Sequence, residues 1–255
     1  MASAPEQRAA HDAELAAPRD TAYWAKPVGR LDIAQVPTGA ISLNVIGRRV
    51  AGPVQGFGQL WQKTYRVRLE GCAATPAEVV QAWKERLPRY QPTANRFFPP
   101  VAGVAPGEVV LINAVVQGMP ALTGVLVVYA DDEAFTLMTP EGHPESGWVT
   151  FSAYRDETAC VVAQVQSIAR ANDPVYEFGF CFMGGATQQE KIWTHVLVSL
   201  AADFDVQGRV TLQKTCVDPR RQLSEAKNVW QNALIRSIVY TLLLPLRRRT
   251  PAPRP

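Results

Sequence analysis

Three histidines come first, because imidazole titrates near neutral pH and can move a proton or hold a metal. His143 stands in the run Gly142-His143-Pro144-Glu145-Ser146-Gly147, between Glu141 and Glu145. A histidine among carboxylates suits a general base, while the glycines and the His-Pro step equally suit an exposed hairpin turn. His195 lies in a helical stretch, about 200° round from Trp193 at about 100° per residue. It therefore faces away from the apolar stripe. His11 falls in the amino-terminal extension. No shared motif joins the three, so no metal site is expected.

Arg155 is the other side chain with a distinctive position. It shares the parity of Val149, Phe151 and Ala153 on one strand-like run. If the strand stays regular, its guanidinium reaches the apolar face and can meet a ligand carboxylate or phosphate. If regularity ends at Tyr154, it faces water. Gly184-Gly185 precede a helix and form a weak anion-binding candidate. Asp131, Asp132 and Glu133 read as solvated turn charges. The chain has no GxSxG elbow and no GxxxxGK[ST] loop. No catalytic residue, cofactor or metal is assigned.

The elements that must position these residues follow from the pattern of the whole chain. Its 255 residues are 47% hydrophobic and 19% charged, enough for one sizeable core. The net charge of +3 owes much to Arg247, Arg248, Arg249 and Arg254 at the end, so the body is near neutral and a nucleic-acid partner is not expected. Cys72, Cys160, Cys181 and Cys216 stand far apart with no CxxC pair. They read as buried free thiols in a reducing cytosol. The chain lacks a signal-peptide core and any run of roughly 20 apolar residues that would span a membrane. A cytoplasmic location follows, with peripheral membrane contact as an open alternative.

Residues 1–20 are expected to be a loose extension, 21–217 one domain, 218–246 a C-terminal helical segment and 247–255 a basic, proline-rich tail. Gly39–Ile46 reads as an early strand and Gln62–Glu70 as a clearer one, with Tyr65, Val67 and Leu69 alternating with charged neighbours. Thr75, Pro76 and Glu78 make a capping box for a helix carrying Val79, Val80, Trp83 and Leu87 on one face. Residues 88–107, with five prolines, read as loop. Glu108–Val116 and Leu122–Ala130 begin an antiparallel meander that three more strands complete. These three carry Phe135 and Leu137, then Val149, Phe151 and Ala153, then Ala159, Val161, Ala163 and Val165 on their apolar faces. A bend or short helix follows over DPVYEFGFCFMGG. Thr187 and Glu190 form a second capping box, opening a helix to about Asp203 with Trp193, Val196, Leu197, Leu200 and Phe204 on one stripe. Arg209–Val217 reads as a strand. Ser224 caps a last helix to Leu244, limited by Pro245. Its apolar end must be covered by the body, a second subunit or a membrane surface.

Strand, helix, long meander and amphipathic helix is the order of the helix-grip fold of START-like lipid-transfer domains, birch-pollen-allergen-like proteins and polyketide cyclases. Residues 62–205 also resemble a bacterial and plant family of unknown function placed near that superfamily. Gly142, His143, Pro144, Glu145 and Gly147 match its Gly-His-Pro-Glu-x-Gly turn. The resemblance implies an α+β fold with a curved antiparallel sheet on a long helix, either 187–203 or 222–244, and one further helix. It implies binding of a hydrophobic or amphipathic small molecule between sheet and helix, with Phe135, Leu137, Phe151, Arg155, Val161, Val165, Trp193, Leu197 and Leu200 as lining. The alternatives are a cyclase or hydratase using His143 or Arg155, and a structural or membrane-peripheral protein with a filled core. The C-terminal helix is the element for a membrane or homodimer contact.

Overall fold

The computed structural model describes residues 21–116 and 118–247. The extension expected over residues 1–20 and the tail beyond Arg247 lie outside them. Eight strands form one antiparallel sheet: β1 Leu60–Arg68, β2 Asn95–Phe98, β3 Val109–Val116, β4 Met119–Ala130, β5 Ala134–Met138, β6 Glu145–Arg155, β7 Val161–Ala171 and β8 Thr211–Asp218. Their spatial order is β2-β3-β4-β5-β6-β7-β1-β8. Strands β2 to β7 are a meander, and β1 returns to pair with β7 on one side and β8 on the other. Four α-helices accompany the sheet: α1 Pro76–Arg86, α2 Pro174–Phe182, α3 Gly185–Asp203 and α4 Ala233–Arg247.

Alternation along the strands places the core on one face. Phe135 pairs with Phe151, Phe151 with Val165, and Val165 with Tyr65, so one buried row crosses four strands. The Phe135 and Phe151 rings stack at 4.6 Å. Trp83 of α1 meets Phe151 edge-on at 5.1 Å, and Trp193 of α3 meets it from the other helix at 5.7 Å. Val196, Leu197, Leu200 and Ala201 of α3 complete this core. The helix gripped by the sheet is therefore α3, which settles the choice between 187–203 and 222–244. The fold is α+β and helix-grip in plan.

Helix α4 packs on the opposite face of the sheet, along β4. The alternate residues of β3 and β4, Val109, Leu111 and Leu126, form a second small core there with Leu31 and Val45. Ser237 donates to the Ala233 carbonyl at 2.6 Å and accepts from the Leu122 amide at 3.0 Å.

Several local expectations need correction. Gly39–Ile46 is a series of turns, held by Asn44 donating to the Leu122 carbonyl at 2.7 Å. The proline-rich stretch is not all loop, since β2 lies within it and pairs with β3. Thr75 and Glu78 do cap α1 reciprocally. Thr187 caps nothing: α3 starts at Gly185 after a left-handed Gly184 (φ 74°), with Thr187 already inside the helix. Ser224 lies in a 3-10 helix, Leu223–Gln231, and Asn232 caps α4 through the Ile235 amide at 3.0 Å. The backbone of α4 runs past Pro245 to Arg247. Ala159 is no strand residue, but an exposed turn position at φ 63°. Cys181 is exposed and the other three cysteines are half-buried, so none is a fully buried thiol.

Candidate functional site

A cavity of about 430 Å³ opens between the sheet, α2 and α3. Its walls are apolar: Ile112, Ala121, Val125, Leu137 and Val149 from the sheet, Ile192 and Trp193 from α3. Val175, Phe178 and Met183 from α2 and its end, with Met119 of the β3–β4 hairpin, sit at the mouth and are exposed. Leu234, in the first turn of α4, closes one side. Its amide donates to the Tyr176 hydroxyl at 2.9 Å, so the two helices that frame the mouth are joined.

The polar end is built by the turn between β5 and β6. Gly142 and Gly147 shape it for different reasons. Gly142 has φ 86°, and a Cβ there would lie 2.0 Å from the Gln231 carbonyl oxygen. A Cβ on Gly147 would lie 2.2 Å from the Ile168 oxygen of the neighbouring strand. The turn is therefore not an exposed hairpin: the segment leading into α4 lies over it, and the Ala233 amide donates to the Gly142 carbonyl at 2.8 Å.

His143 is half-buried at the cavity wall. Burial lowers its pKa from 6.5 to about 4, against a smaller opposing effect of its hydrogen bond to Glu145. The Glu145 amide donates to His143 Nδ1 at 3.1 Å. The same Nδ1 lies 3.1 Å from the Glu145 carbonyl oxygen, to which it donates in the other tautomer. His143 is a neutral imidazole at pH 7, and a far weaker base than a free histidine.

Beside it, Lys63 Nζ donates to Gln189 Oε1 at 2.6 Å, and Gln189 Nε2 donates to the Glu145 carboxylate. This chain runs along the wall shared with a smaller cavity of about 210 Å³, which Lys63, Glu145 and Ser167 also line. Gly185 and Gln188 bring the amino-terminal end of α3 to the large cavity, where the helix dipole is positive. Trp193 Nε1 and Thr123 Oγ1, on two lining residues, are buried without a hydrogen-bond partner.

Of the side chains expected to line a ligand site, only Leu137 and Trp193 reach this cavity. Phe135, Phe151, Val161, Val165, Leu197 and Leu200 are sealed in the core. The volume left by Ala153 and Ala163 is closed, because α1 packs over β6 and β7 and supplies Trp83. Arg155 pairs with Val161 at one end of β6, whereas Glu145 marks the other end, where the cavity is. Ten residues at about 3.3 Å each put on the order of 30 Å between them. Arg155 is exposed and donates to the Ala159 carbonyl at 2.9 Å, so it holds its own turn, away from the cavity. His195 is exposed, 3.4 Å from Ser199 Oγ. Sequence reasoning missed Val125, Val149 and Ile192, whose strand and helix parity already marked them, and Phe178 and Met183, in the segment read only as a bend or short helix. Among the described residues no group of three His, Cys, Asp or Glu is placed to hold a metal ion.

Solved structures similar to this chain include the KanY protein, 13% identical over 58% of this chain and 99% of that one, with a TM-score of 0.45. A START superfamily protein from Mycobacterium smegmatis is 17% identical over 58% and 98%, TM-score 0.39. The di-domain ARO/CYC protein StfQ of the steffimycin biosynthetic pathway is 10% identical over 57% and 50%, TM-score 0.42. No curated protein matches the sequence. The model of the Domain of unknown function (DUF1990) matches residues 55–197, more than half of the chain, and the chain belongs to that family.

Proposed function

We propose that the large cavity binds a lipid-like amphipathic molecule and that the protein is a binding module. The observation that carries this is an apolar space of about 430 Å³ whose mouth is ringed by exposed Phe178, Met183 and Met119. Protein interiors pack close to crystal density, so a space of this size between sheet and helix is a built feature. It falls within the volume of small-molecule sites. Apolar burial contributes about 25 cal/mol per Å² before the losses of association.

The polar end selects the head of the ligand. The positive end of α3 favours an oxygen acceptor, and Glu145 disfavours a second carboxylate. A hydroxyl or carbonyl oxygen suits this end better than a fatty acid's carboxylate. The low basicity of His143 argues against the cyclase or hydratase reading, which needs a proton acceptor near neutral pH.

Titration with a fluorescent long-chain alcohol and a matched fluorescent fatty acid tests the reading. The full chain should bind the alcohol more tightly. Ala121→Phe, which fills the cavity from β4, should abolish binding of both while the protein still unfolds cooperatively. Binding of neither probe by the wild type would reject the proposal.

A further inference from the structure

Helix α4 is covered on one side only. Ala233 and Ser237 are fully buried against β4 and the turn that carries Asn44, which donates to both the Ala233 carbonyl and Ser237 Oγ at 3.2 Å. On the other side Ile235, Val239 and Leu242 are 41%, 50% and 71% exposed. At about 100° per residue these three fall within an arc of about 60°, centred about 170° from Ser237. The stripe is thus turned away from the body. Ile46, on the turn that holds α4, adds another exposed apolar side chain at 47%.

The C-terminal segment is basic in sequence. From Ala226 to Pro255 the chain has Lys227, Arg236, Arg247, Arg248, Arg249 and Arg254, and no Asp or Glu. Arg236 donates to Asn44 Oδ1 at 2.9 Å, beside the same turn. Arg30 donates to the Gly47 carbonyl at 2.7 Å. Burial and the neighbouring Arg236 both lower the Arg48 pKa, while Glu141 acts against them. Glu141 itself is paired with Arg49 at 2.7 Å. A second copy docking through the same stripe would bring these like charges together across a two-fold axis. An anionic lipid surface would meet apolar and basic groups at once, as interfacial helices do. No helix among the described residues is long and apolar enough to cross a membrane.

We propose that α4 lies flat on an anionic lipid surface, with Ile235, Val239 and Leu242 in the interface. The inference is independent of what the cavity binds. It has a consequence for that site, because Leu234 of the same helix lines the cavity wall.

Co-sedimentation of the full chain with phosphatidylcholine vesicles, with and without phosphatidylglycerol, tests this. Binding is expected to the phosphatidylglycerol vesicles and to fall as salt rises. The double variant Val239→Asp, Leu242→Asp should lose binding by at least about tenfold. Arg247→Gln, Arg248→Gln and Arg249→Gln should each lower partitioning about fivefold. Circular dichroism and melting check that the variants fold; should the aspartates lower the melting temperature, Val239→Ser with Leu242→Ser replaces them. Absence of binding to anionic vesicles, binding indifferent to phosphatidylglycerol and salt, or unchanged binding by the stripe variants overturns the proposal. So does a concentration-dependent dimer that the stripe variants dissolve, because a second copy would then be the occupant.

Discussion

Asn232 Nδ2 donates to Asp173 Oδ2 at 2.9 Å, with both residues sealed from solvent. The bond ties the residue that caps α4 to the residue that caps α2. The other Asp173 oxygen accepts from the Val175 and Tyr176 amides at 2.9 and 3.1 Å. Asn172 Nδ2 donates to Asp173 Oδ2 at 3.3 Å, and Ser146 of the β5–β6 turn region donates to Asn172 Oδ1 at 2.9 Å. The polar turn, the helix at the cavity mouth and the C-terminal helix are therefore one hydrogen-bonded unit. Removing one partner of a buried bond to a charged group costs about 1.5–3 kcal/mol. Asn232→Ala should show that loss in urea unfolding. A midpoint equal to wild type would mean that α4 is not coupled to α2.

The two motif glycines should tolerate no side chain. Gly142→Ala meets the Gln231 carbonyl and a positive φ together; Gly147→Ala meets the Ile168 carbonyl. Each should cost at least about 1–3 kcal/mol by strain and displacement. Gly142→Ala should also free α4 from the turn, read as faster amide exchange from Ala233 onward. Unchanged exchange would show that the Gly142–Gln231 approach does not hold the helix.

The two threonines read as caps separate cleanly. Thr75 Oγ1 accepts from the Glu78 amide at 3.2 Å, and the Thr75 amide donates to Glu78 Oε2 at 2.7 Å. Thr75→Ala should cost about 0.5–2 kcal/mol. Thr187→Ala, at an exposed position inside α3, should stay within about 0.5 kcal/mol of wild type. Equal losses at both positions would contradict the assigned start of α3.

His143 makes stability depend on pH. Its folded pKa of about 4 lies below the unfolded value of 6.5. Above about pH 6.5 both states hold a neutral imidazole and it contributes no slope. As pH falls from there towards 4, only the unfolded chain takes up the proton, so stability drops, by roughly 3 kcal/mol in total. Below the folded pKa the loss levels off. His143→Gln should flatten this window when stability is measured from pH 7 to 4. A slope the same as wild type would place the titrating group elsewhere.

Period and capping chemistry made most of the fold readable. The meander was legible because each of its strands has one apolar parity, and α1 because Thr75, Pro76 and Glu78 act locally. Strand β2 was hidden because prolines surround Asn95–Phe98, and its pairing with β3 is a long-range choice. The site was less legible for the same reason. Phe135, Phe151 and Val165 announce a buried face, but whether a face is filled or open depends on which helix crosses it. Trp83 fills it at one end, and α2 stands off it at the other. Arg155 shared the right parity at the wrong end of its strand. The segment that lies over Gly142, at Gln231, stands more than 80 residues further on, which no local pattern around Gly142 could disclose.

The central claim is that the space beside Leu137, Ala121 and Trp193 is a ligand site. Native mass spectrometry of the full chain after incubation with a total lipid extract tests it most directly. The account predicts a one-to-one adduct that organic solvent extracts, enriched in neutral-headed over carboxylate-headed lipids and absent in Ala121→Phe. A spectrum of the bare chain alone, or an adduct equally abundant in Ala121→Phe, would contradict it.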